Sequence, residues 1–235
     1  MTLAAPIHVR PTADLAERVL LPGDPARALA LAQALLEKPL MFNHNRGLWG
    51  YTGNAADGAP LTIQSTGMGG PSAAIVLQEL IALGARRAIR VGTCGALDGA
   101  LELGEVLVAR EALAADGTSR ALGAGERVAA DGALTAALEQ AAGEDAATVV
   151  STDLFYEPRG EREHDWRAAG AVAVEMEAAT LFALGARLGI PVACVLTVSD
   201  LLAGEERTPR THIDDDALLA SAERMARLAL GALEV

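Results

Sequence analysis

The chain has 235 residues, and 51% of them are hydrophobic, mainly Ala, Leu and Val rather than aromatic residues. A chain of this length and composition can bury a sizeable core, which excludes an intrinsically disordered protein. The formal net charge is −12 and no long basic run occurs, which excludes nucleic acid and anionic membrane surfaces as the main partners.

Short β-branched runs alternate along the chain with longer helical patterns rich in Ala and Leu. The predicted strands are 17–21, 61–65, 88–91, 105–109, 171–174 and 192–197. The predicted helices are 25–36, 72–83, 130–142, 175–188 and 215–230. The alternation predicts an α/β fold in a single domain, 1–235, with a mixed, largely parallel central sheet flanked by helices. The Ala/Gly-rich region 112–125 is interpreted as a surface excursion.

The cysteines and the start of the chain indicate a cellular location. Cys94 and Cys194 lie in apolar, strand-like segments, so we interpret them as buried thiols of a reducing compartment rather than a disulfide. No metal site is indicated. The start of the chain lacks the pattern of a secretory signal, and no apolar stretch approaches the ~20 residues that span a bilayer. The expected location is the cytoplasm.

The first strand-to-helix turn has the sequence LLPGDPAR and contains Gly23 and Arg27. Ligands of open α/β sheets bind in the loops after the carboxyl ends of strands. Glycine lets the backbone approach a ligand, and free N–H groups at a helix start attract an anion. A phosphate site and an ordinary turn with a solvated arginine are equally good interpretations of this segment alone.

The second turn, TGMGGPS at 66–72, again follows a strand and opens a helix. Its glycines fit a wall that passes close to a small ligand, although tight turns are the commoner reason for such residues. The glycine spacing and the missing acidic ribose partner exclude a dinucleotide-binding fingerprint.

The third turn, IRVGTCGA, places Arg90 inside an apolar strand and Thr93 just beyond it. A buried arginine needs an anionic partner because an unpaired buried charge is costly. That partner is either a structural Glu or Asp or a bound phosphate. The nearby hydroxyl of Thr93 favours phosphate.

The last two segments carry carboxylates at strand ends. Glu175 and Glu177 flank Met176 in VEMEAA, and Ser199 precedes Asp200 in TVSD. Each acidic residue could cap a helix, which is the stronger interpretation for Asp200 alone. For the two glutamates together, binding the vicinal hydroxyls of a polyol is at least as good an explanation.

These segments together resemble the nucleoside phosphorylase family, which includes the bacterial hexameric purine nucleoside phosphorylases and the uridine phosphorylases. The matching strings follow the family order over most of the chain: IHV, LLPGDPAR, NRGLWGYTG, TGMGGPSAA, IRVGTCGA, STDLFY, VEMEAATLF and TVSD. The resemblance implies phosphorolysis of a nucleoside to a free base and a pentose 1-phosphate. Phosphate is then a co-substrate, and no cofactor or metal is needed.

The resemblance also implies roles for individual residues. The implied phosphate site comprises Gly23, Arg27, Arg90 and Thr93, completed by Arg46 of a neighbouring subunit. The implied nucleoside contacts are His8 from that subunit at the 5′-hydroxyl, Glu177 at the 2′- and 3′-hydroxyls, Met68 and Met176 on the sugar, Phe155 with Tyr156 nearby at the base, and Asp200 with Ser199 at purine N7. The expected assembly is a homohexamer, a trimer of dimers with shared sites.

The family pattern leaves some alternatives open. Purine enzymes often have a further arginine beyond the Ser-Asp pair, and here Arg207 and Arg210 both qualify.

Uridine phosphorylases recognise the base with a Gln and an Arg after the aromatic motif. Arg162 fits that arginine, but no glutamine precedes it, and uracil has no N7 for the acid, so a purine nucleoside phosphorylase is the leading prediction. A hydrolytic nucleosidase would not need the phosphate cradle, and a non-catalytic nucleoside-binding protein would not need both that cradle and an acid.

Overall fold

A central sheet runs through the computed structural model, which describes residues 5–156, 161–202 and 211–234. The strands are β1 (Arg18–Leu21), β2 (Leu36–Asn43), β3 (Gly50–Ala55), β4 (Pro60–Gln64), β5 (Arg87–Ala96), β6 (Val106–Ala115), β7 (Arg127–Ala129), β8 (Ala147–Thr152), β9 (Ala173–Glu175), β10 (Val192–Leu201) and β11 (Thr211–His212). The helices are α1 (Pro25–Leu35), α2 (Gly70–Leu83), α3 (Gly117–Ala121), α4 (Gly132–Ala142), α5 (Glu161–Ala168), α6 (Ala178–Leu188) and α7 (Asp215–Ala232). A 3-10 turn covers Asn45–Gly47.

The pairing of the strands brings the chemically unusual segments to one end of the sheet. Strands β4, β1, β5 and β10 lie side by side and pair in parallel. Strand β9 pairs antiparallel with the end of β5, and β11 pairs antiparallel with the end of β10. The carboxyl ends of β1, β5 and β10 therefore meet at one edge, where ligands of such sheets bind.

Helices cover both faces of the sheet, as the apolar periodicity predicts. Helices α2 and α6 bury their apolar residues on one face, and α1, α4 and α7 bury theirs on the other. Strands β5 and β10 between the two layers are buried along almost their whole length, which is typical of parallel strands with helices on both sides. Helix α1 begins with Pro25, and the Asp24 side chain caps it by accepting from the Arg27 N–H at 2.7 Å.

The predicted α/β class and the flanked mixed sheet are confirmed, whereas two local predictions are wrong. The region 112–125 is not a surface excursion, because β6 continues to Ala115 and buries Ala112 and Ala114. The helix predicted from residue 175 starts at Ala178, because Glu175 ends β9.

Strands β2, β3, β7, β8 and β11 were missed. Strand β2 contains a proline and charged residues, and β3 contains two glycines, so neither has a strong local preference for a strand. Hydrogen bonding to neighbouring strands forms them. Their antiparallel pairings, β2 with β3 and β3 with β4, make the sheet more mixed outside its parallel centre.

Candidate active site

A cavity of about 490 Å³ lies at the carboxyl ends of β1, β5 and β10. Most of the residues singled out from the sequence line it: Gly23, Arg27, Arg46, Met68, Arg90, Thr93, Phe155, Glu175, Met176, Glu177, Ser199 and Asp200. His8 does not line it. Several lining residues were not anticipated, among them Trp166 and Glu163 of α5.

One end of the cavity is formed by the two glycine-containing turns, which are bonded to each other. The Gly67 N–H donates to the Gly23 carbonyl at 3.0 Å, and a Cβ added at Gly23 would lie 3.3 Å from the Gly67 oxygen. Arg27 projects here from the start of α1 and forms no ion pair with any described residue. Burial lowers the pKa of Arg27, the Asp24 carboxylate opposes that shift, and the charge of Arg90 adds to it. A partly desolvated, unpaired cation beside a helix start is a favourable place for an anion.

Arg90 lies in the floor of the cavity and is paired with two carboxylates. Its Nε donates to Glu175 Oε2 at 2.9 Å, and its Nη2 lies 2.5 Å from Glu177 Oε2. Burial opposes the charge of Arg90, but the two glutamates outweigh it and raise the pKa of Arg90. The structural carboxylate partner that the sequence left open is therefore present, and the N–H groups not used in these two contacts remain for a ligand.

Gly92 makes room for the Arg90 side chain. A Cβ added at Gly92 would lie 2.6 Å from Arg90 Cζ and 2.7 Å from its Nη2. This separation is far below an ordinary van der Waals contact, so the guanidinium can cross the strand only where residue 92 has no side chain.

The two glutamates have different surroundings. Glu175 has a side chain with 0% exposure. It accepts hydrogen bonds from Arg90, from the Ser151 hydroxyl and from the backbone N–H groups of Glu177 and Ala178. It therefore accepts from the first N–H of α6, whose N-cap residue is Glu177, while it orients Arg90.

Glu177 reaches the cavity more directly. Its Oε1 accepts from the Gly69 N–H at 2.5 Å, and its Oε2 faces Arg90. Burial raises the pKa of Glu177, Arg90 opposes this effect, and the Glu175 carboxylate adds to it. Both glutamates line the cavity, but the Glu177 side chain is the more exposed of the two, with 6% exposure against 0% for Glu175.

Asp200 also lines the cavity, on a bulge near the end of β10, which is separated by β5 from the strand that leads into the Gly23 turn. The residue is 6% exposed. Its Oδ2 lies 2.7 Å from the Ser199 hydroxyl, and its Oδ1 lies 2.8 Å from His212 Nδ1. Asp200 caps none of the helices in the described parts of the chain. Arg207 and Arg210, proposed from the sequence to assist the acid, lie outside the described residues. His212 was not among the residues predicted from the sequence. The sequence feature that could have pointed to it is the scarcity of histidine, with four in the chain.

Apolar side chains line the wall next to Asp200. Phe155 is 45% exposed, and its ring meets that of Tyr156 edge to face with centroids 5.1 Å apart. Trp166 faces the same cavity, and Met68, which is 86% exposed, lies at its mouth. A flat aromatic ligand part fits such a wall.

His8 and Arg46 lie on two connected segments. The Glu79 carboxylate accepts from the backbone N–H groups of Ile7, His8 and Val9 at 3.1, 2.8 and 2.6 Å. The Asn45 amide donates to the His8 carbonyl at 2.8 Å, which joins this segment to the turn that carries Arg46. Arg46 has a positive φ of 58° and borders the cavity of its own chain.

Two features are absent from the described parts of the chain. No group of three or more His, Cys, Asp and Glu side chains is arranged there to hold a metal ion. No helix within 5–156, 161–202 or 211–234 has the length and apolar character needed to cross a membrane.

Comparisons with known proteins agree with this geometry. The family model described as the phosphorylase superfamily matches residues 17–234. The chain is 38% identical over 208 residues to the DeoD-type purine nucleoside phosphorylase of Geobacillus kaustophilus, covering 84% of this chain and 86% of that protein. It is 40% identical over 204 residues to the DeoD-type purine nucleoside phosphorylase of a Jannaschia species, covering 83% and 87%.

A similarity to a solved structure extends over nearly the whole fold. The crystal structure of uridine phosphorylase from Vibrio fischeri, complexed with 6-hydroxy-1-naphthoic acid, matches with a TM-score of 0.83 and 28% identity, covering 93% of this chain and 91% of that one. The family match, the two purine enzymes and this neighbour all indicate the same family. The chain belongs to the phosphorylase superfamily, in the nucleoside phosphorylase family near the DeoD-type purine enzymes.

Proposed function

We propose that this chain is a purine nucleoside phosphorylase, which transfers the pentose of a purine nucleoside to inorganic phosphate and releases the free base. One observation carries the proposal: a single cavity is lined by the cations Arg27 and Arg90, by the carboxylate Glu177 and by the acid Asp200. These three kinds of group suit a phosphate, a pentose and a base, respectively.

The phosphate end binds and orients the nucleophile. Arg27 supplies an unpaired charge, Thr93 a hydroxyl that makes no hydrogen bond with a described residue, and the turn at Gly23 a close approach of the backbone. Holding the anion against the pentose removes much of the entropic cost of a bimolecular reaction. Its charge also stabilises the positive charge that develops on the sugar as the glycosidic bond breaks.

The pentose lies over Glu177 in this proposal. A carboxylate fixed by Arg90 and the Gly69 N–H has lone pairs that can accept hydrogen bonds from the 2′- and 3′-hydroxyls. Glu175 contributes by orienting Arg90 rather than by touching the sugar, since its oxygens already accept four protein donors. Met68 and Met176 supply apolar contacts at the edge of the same space.

The base end completes the reaction. As the C1′–N9 bond breaks, its electron pair moves to the purine, and a proton given to N7 neutralises the charge on the leaving base. Asp200 is the acid in this proposal and Ser199 assists it, within a pocket whose aromatic wall includes Phe155. General acid catalysis of this kind contributes about 10²–10⁴-fold to the rate.

We also propose that the site is shared within a cytoplasmic homohexamer, a trimer of dimers in which Arg46 and His8 serve the neighbouring cavity. Exposed apolar side chains on the connected segments that carry them support an interface: Ile7, Leu40, Met41 and Trp49. The bond from Asn45 to the His8 carbonyl would present both residues to the neighbour together. No cofactor other than the co-substrate phosphate is proposed.

Uridine phosphorylase is the second candidate function. The structural neighbour from Vibrio fischeri bears that name, and Arg162 follows the aromatic motif. The Ser199–Asp200 pair at the cavity favours the purine reaction, because a uracil ring has no N7 to protonate. The purine names of the relatives at 38% and 40% identity support the same choice.

The test is release of base from inosine, guanosine, adenosine and uridine, each with and without inorganic phosphate. The proposal predicts phosphate-dependent release from the purine nucleosides and little from uridine. Release from uridine alone would establish the second candidate. Release without phosphate would show that the enzyme is a hydrolase and would contradict the proposed phosphate site.

A further inference from the structure

Asp200 has a close neighbour from outside its own strand. Strand β11 pairs antiparallel with β10 so that His212 lies directly opposite Asp200, and the two side chains meet with His212 Nδ1 2.8 Å from Asp200 Oδ1. Asp200 is nearly buried, with 9% of its side chain exposed, whereas His212 is 59% exposed. This buried oxygen has no hydrogen-bond partner among the described residues, because the close contact with His212 is not aligned as a hydrogen bond.

A small rotation of the exposed His212 ring would align Nδ1 with Oδ1. Neutral imidazole has one nitrogen that donates and one that only accepts, and a carboxylate oxygen without a proton only accepts. At 2.8 Å, an aligned contact needs a hydrogen on one of the two atoms. Either His212 then donates from Nδ1, or a protonated Asp200 donates to it.

The contacts of Oδ2 suit the same arrangement. The Ser199 hydroxyl lies 2.7 Å from Oδ2 and 3.2 Å from the Cys94 carbonyl. Serine has one hydroxyl hydrogen, so when it donates to Cys94 its lone pairs can accept from a protonated Oδ2. Oδ1 then accepts from His212, and Oδ2 carries the hydrogen that a ligand at this end can receive.

We propose that His212 is the positioning residue of the acid Asp200, an inference that rests on the proposed purine phosphorolysis. Asp200 gives its Oδ2 hydrogen to N7 as the C1′–N9 electron pair moves to the base, which leaves a carboxylate. The Nδ1–H of His212 stabilises that carboxylate and then passes to Oδ1, while the exposed Nε2 of His212 takes a proton from water. Rotation of the carboxyl group brings its new hydrogen to the Oδ2 position, and exchange with water returns the hydrogen of the exposed ring to Nδ1.

The geometry also explains how His212 can both position Asp200 and exchange protons with water. The backbone pairing of β10 and β11 fixes the distance between the side chains, while the exposure of His212 connects the buried acid to solvent. An acid that exchanges protons with water through a neighbouring residue can be reprotonated in each turnover without opening the base pocket.

The experiment compares His212→Leu with His212→Asn, alone and in an Asp200→Asn background. Asparagine places an amide N–H near the position of Nδ1, whereas leucine has a similar shape and no donor. His164→Leu in α5 is the matched control, because it removes another exposed histidine that makes no described contact with Asp200. Kinetics are measured with adenosine and inosine at varied phosphate, and folding is checked by circular dichroism.

The expected result is a fall in kcat for adenosine of about 10-fold or more in His212→Leu, partly restored in His212→Asn, with the phosphate KM unchanged. In the Asp200→Asn background the same change should alter kcat by less than about 2-fold, because residues that act through one another are not additive. Three outcomes would overturn the inference: wild-type kcat in His212→Leu, an equal loss in both backgrounds, or a change confined to the phosphate KM. If His212→Leu does not fold, the comparison of His212→Asn in the two backgrounds decides.

Failure of the proposed function would look different. In that case the wild-type protein would release no purine base in the presence of phosphate, and neither would any variant at position 212. A chain that is active on purines but indifferent to His212 would remove only the positioning role.

Discussion

Arg90 and Glu177 form a nearly buried ion pair in the floor of the cavity, with Nη2 and Oε2 2.5 Å apart and side-chain exposures of 4% and 6%. Two further contacts hold the pair: Glu175 on the other side of the guanidinium and the Gly69 N–H on Glu177. The arrangement fixes both the cation and the carboxylate before any ligand arrives, and such preorganisation reduces the cost of binding in the transition state.

Glu177→Gln and Glu175→Gln should distinguish the glutamate that contacts the substrate from the glutamate that orients Arg90. Glu177→Gln should lower kcat/KM for inosine about 10- to 100-fold, because hydrogen bonds to a charged partner are replaced by weaker neutral ones. Glu175→Gln should instead lower the free energy of unfolding by about 2 kcal/mol, since it weakens a buried pair and the hydrogen bond from the first N–H of α6. Steady-state kinetics and urea unfolding measure the two effects, and a larger kinetic loss in a fully folded Glu175→Gln would reverse the assignment.

Gly92→Ala should disturb the site through Arg90. The new Cβ would lie 2.6 Å from Arg90 Cζ, so the guanidinium must leave its place between the glutamates. We expect a clear loss of kcat/KM together with a destabilisation of about 1–3 kcal/mol, the range for overpacking. Gly132→Ala is the control, because nothing lies within 4 Å of a Cβ there. Equal behaviour of the two variants in thermal unfolding and activity would contradict the steric argument.

Arg27→Ala should act mainly on phosphate. This unpaired cation has no ion pair to lose among the described residues, so the fold should keep its stability. The KM for phosphate should rise about 10-fold or more, because hydrogen bonds from a charged donor to an anion are the strong ones. Arg187→Ala removes an exposed arginine from the last turn of α6 and should leave that KM unchanged. An unaltered phosphate KM in Arg27→Ala would place the anion elsewhere.

The Arg18–Asp57 pair predicts a pH dependence of stability. The hydrogen bonds from Arg18 lower the pKa of Asp57 from 3.8 to about 2, against the effect of burial. A lowered folded-state pKa stabilises the fold above the unfolded value and loses that effect as the pH falls through the folded value. Asp57→Asn should therefore cost about 1 kcal/mol at neutral pH, a value reduced for solvent screening. The difference from wild type should shrink between pH 3.8 and about 2, and a constant difference in urea unfolding would contradict this.

The parts of the site that follow from the sequence are those fixed by local chemistry. Gly23 and Arg27 belong to one turn and its helix start, and Ser199 and Asp200 end one apolar strand, so reading a few neighbouring residues was enough to place them. The α/β class followed from the alternation of strand and helix patterns for the same reason.

The parts that were missed depend on contacts between distant segments. His212 meets Asp200 only because β11 pairs back onto β10, and the stretch between them gives no pattern that predicts such a pairing. Glu175 and Glu177 look equivalent in the sequence, yet the Glu175 side chain is fully buried by its four protein donors and that of Glu177 keeps 6% exposure. Strands β2 and β3 likewise exist through their antiparallel pairing and not through their own composition.

The most direct test of the account is to identify the products of inosine and inorganic phosphate by 31P NMR while hypoxanthine is measured by absorbance. The account predicts that the phosphate signal falls as a pentose 1-phosphate signal grows, with one equivalent of hypoxanthine for each phosphate consumed. Release of hypoxanthine with an unchanged phosphate signal would contradict it, because the nucleophile would then be water and the cations at Arg27 and Arg90 would have no co-substrate to hold.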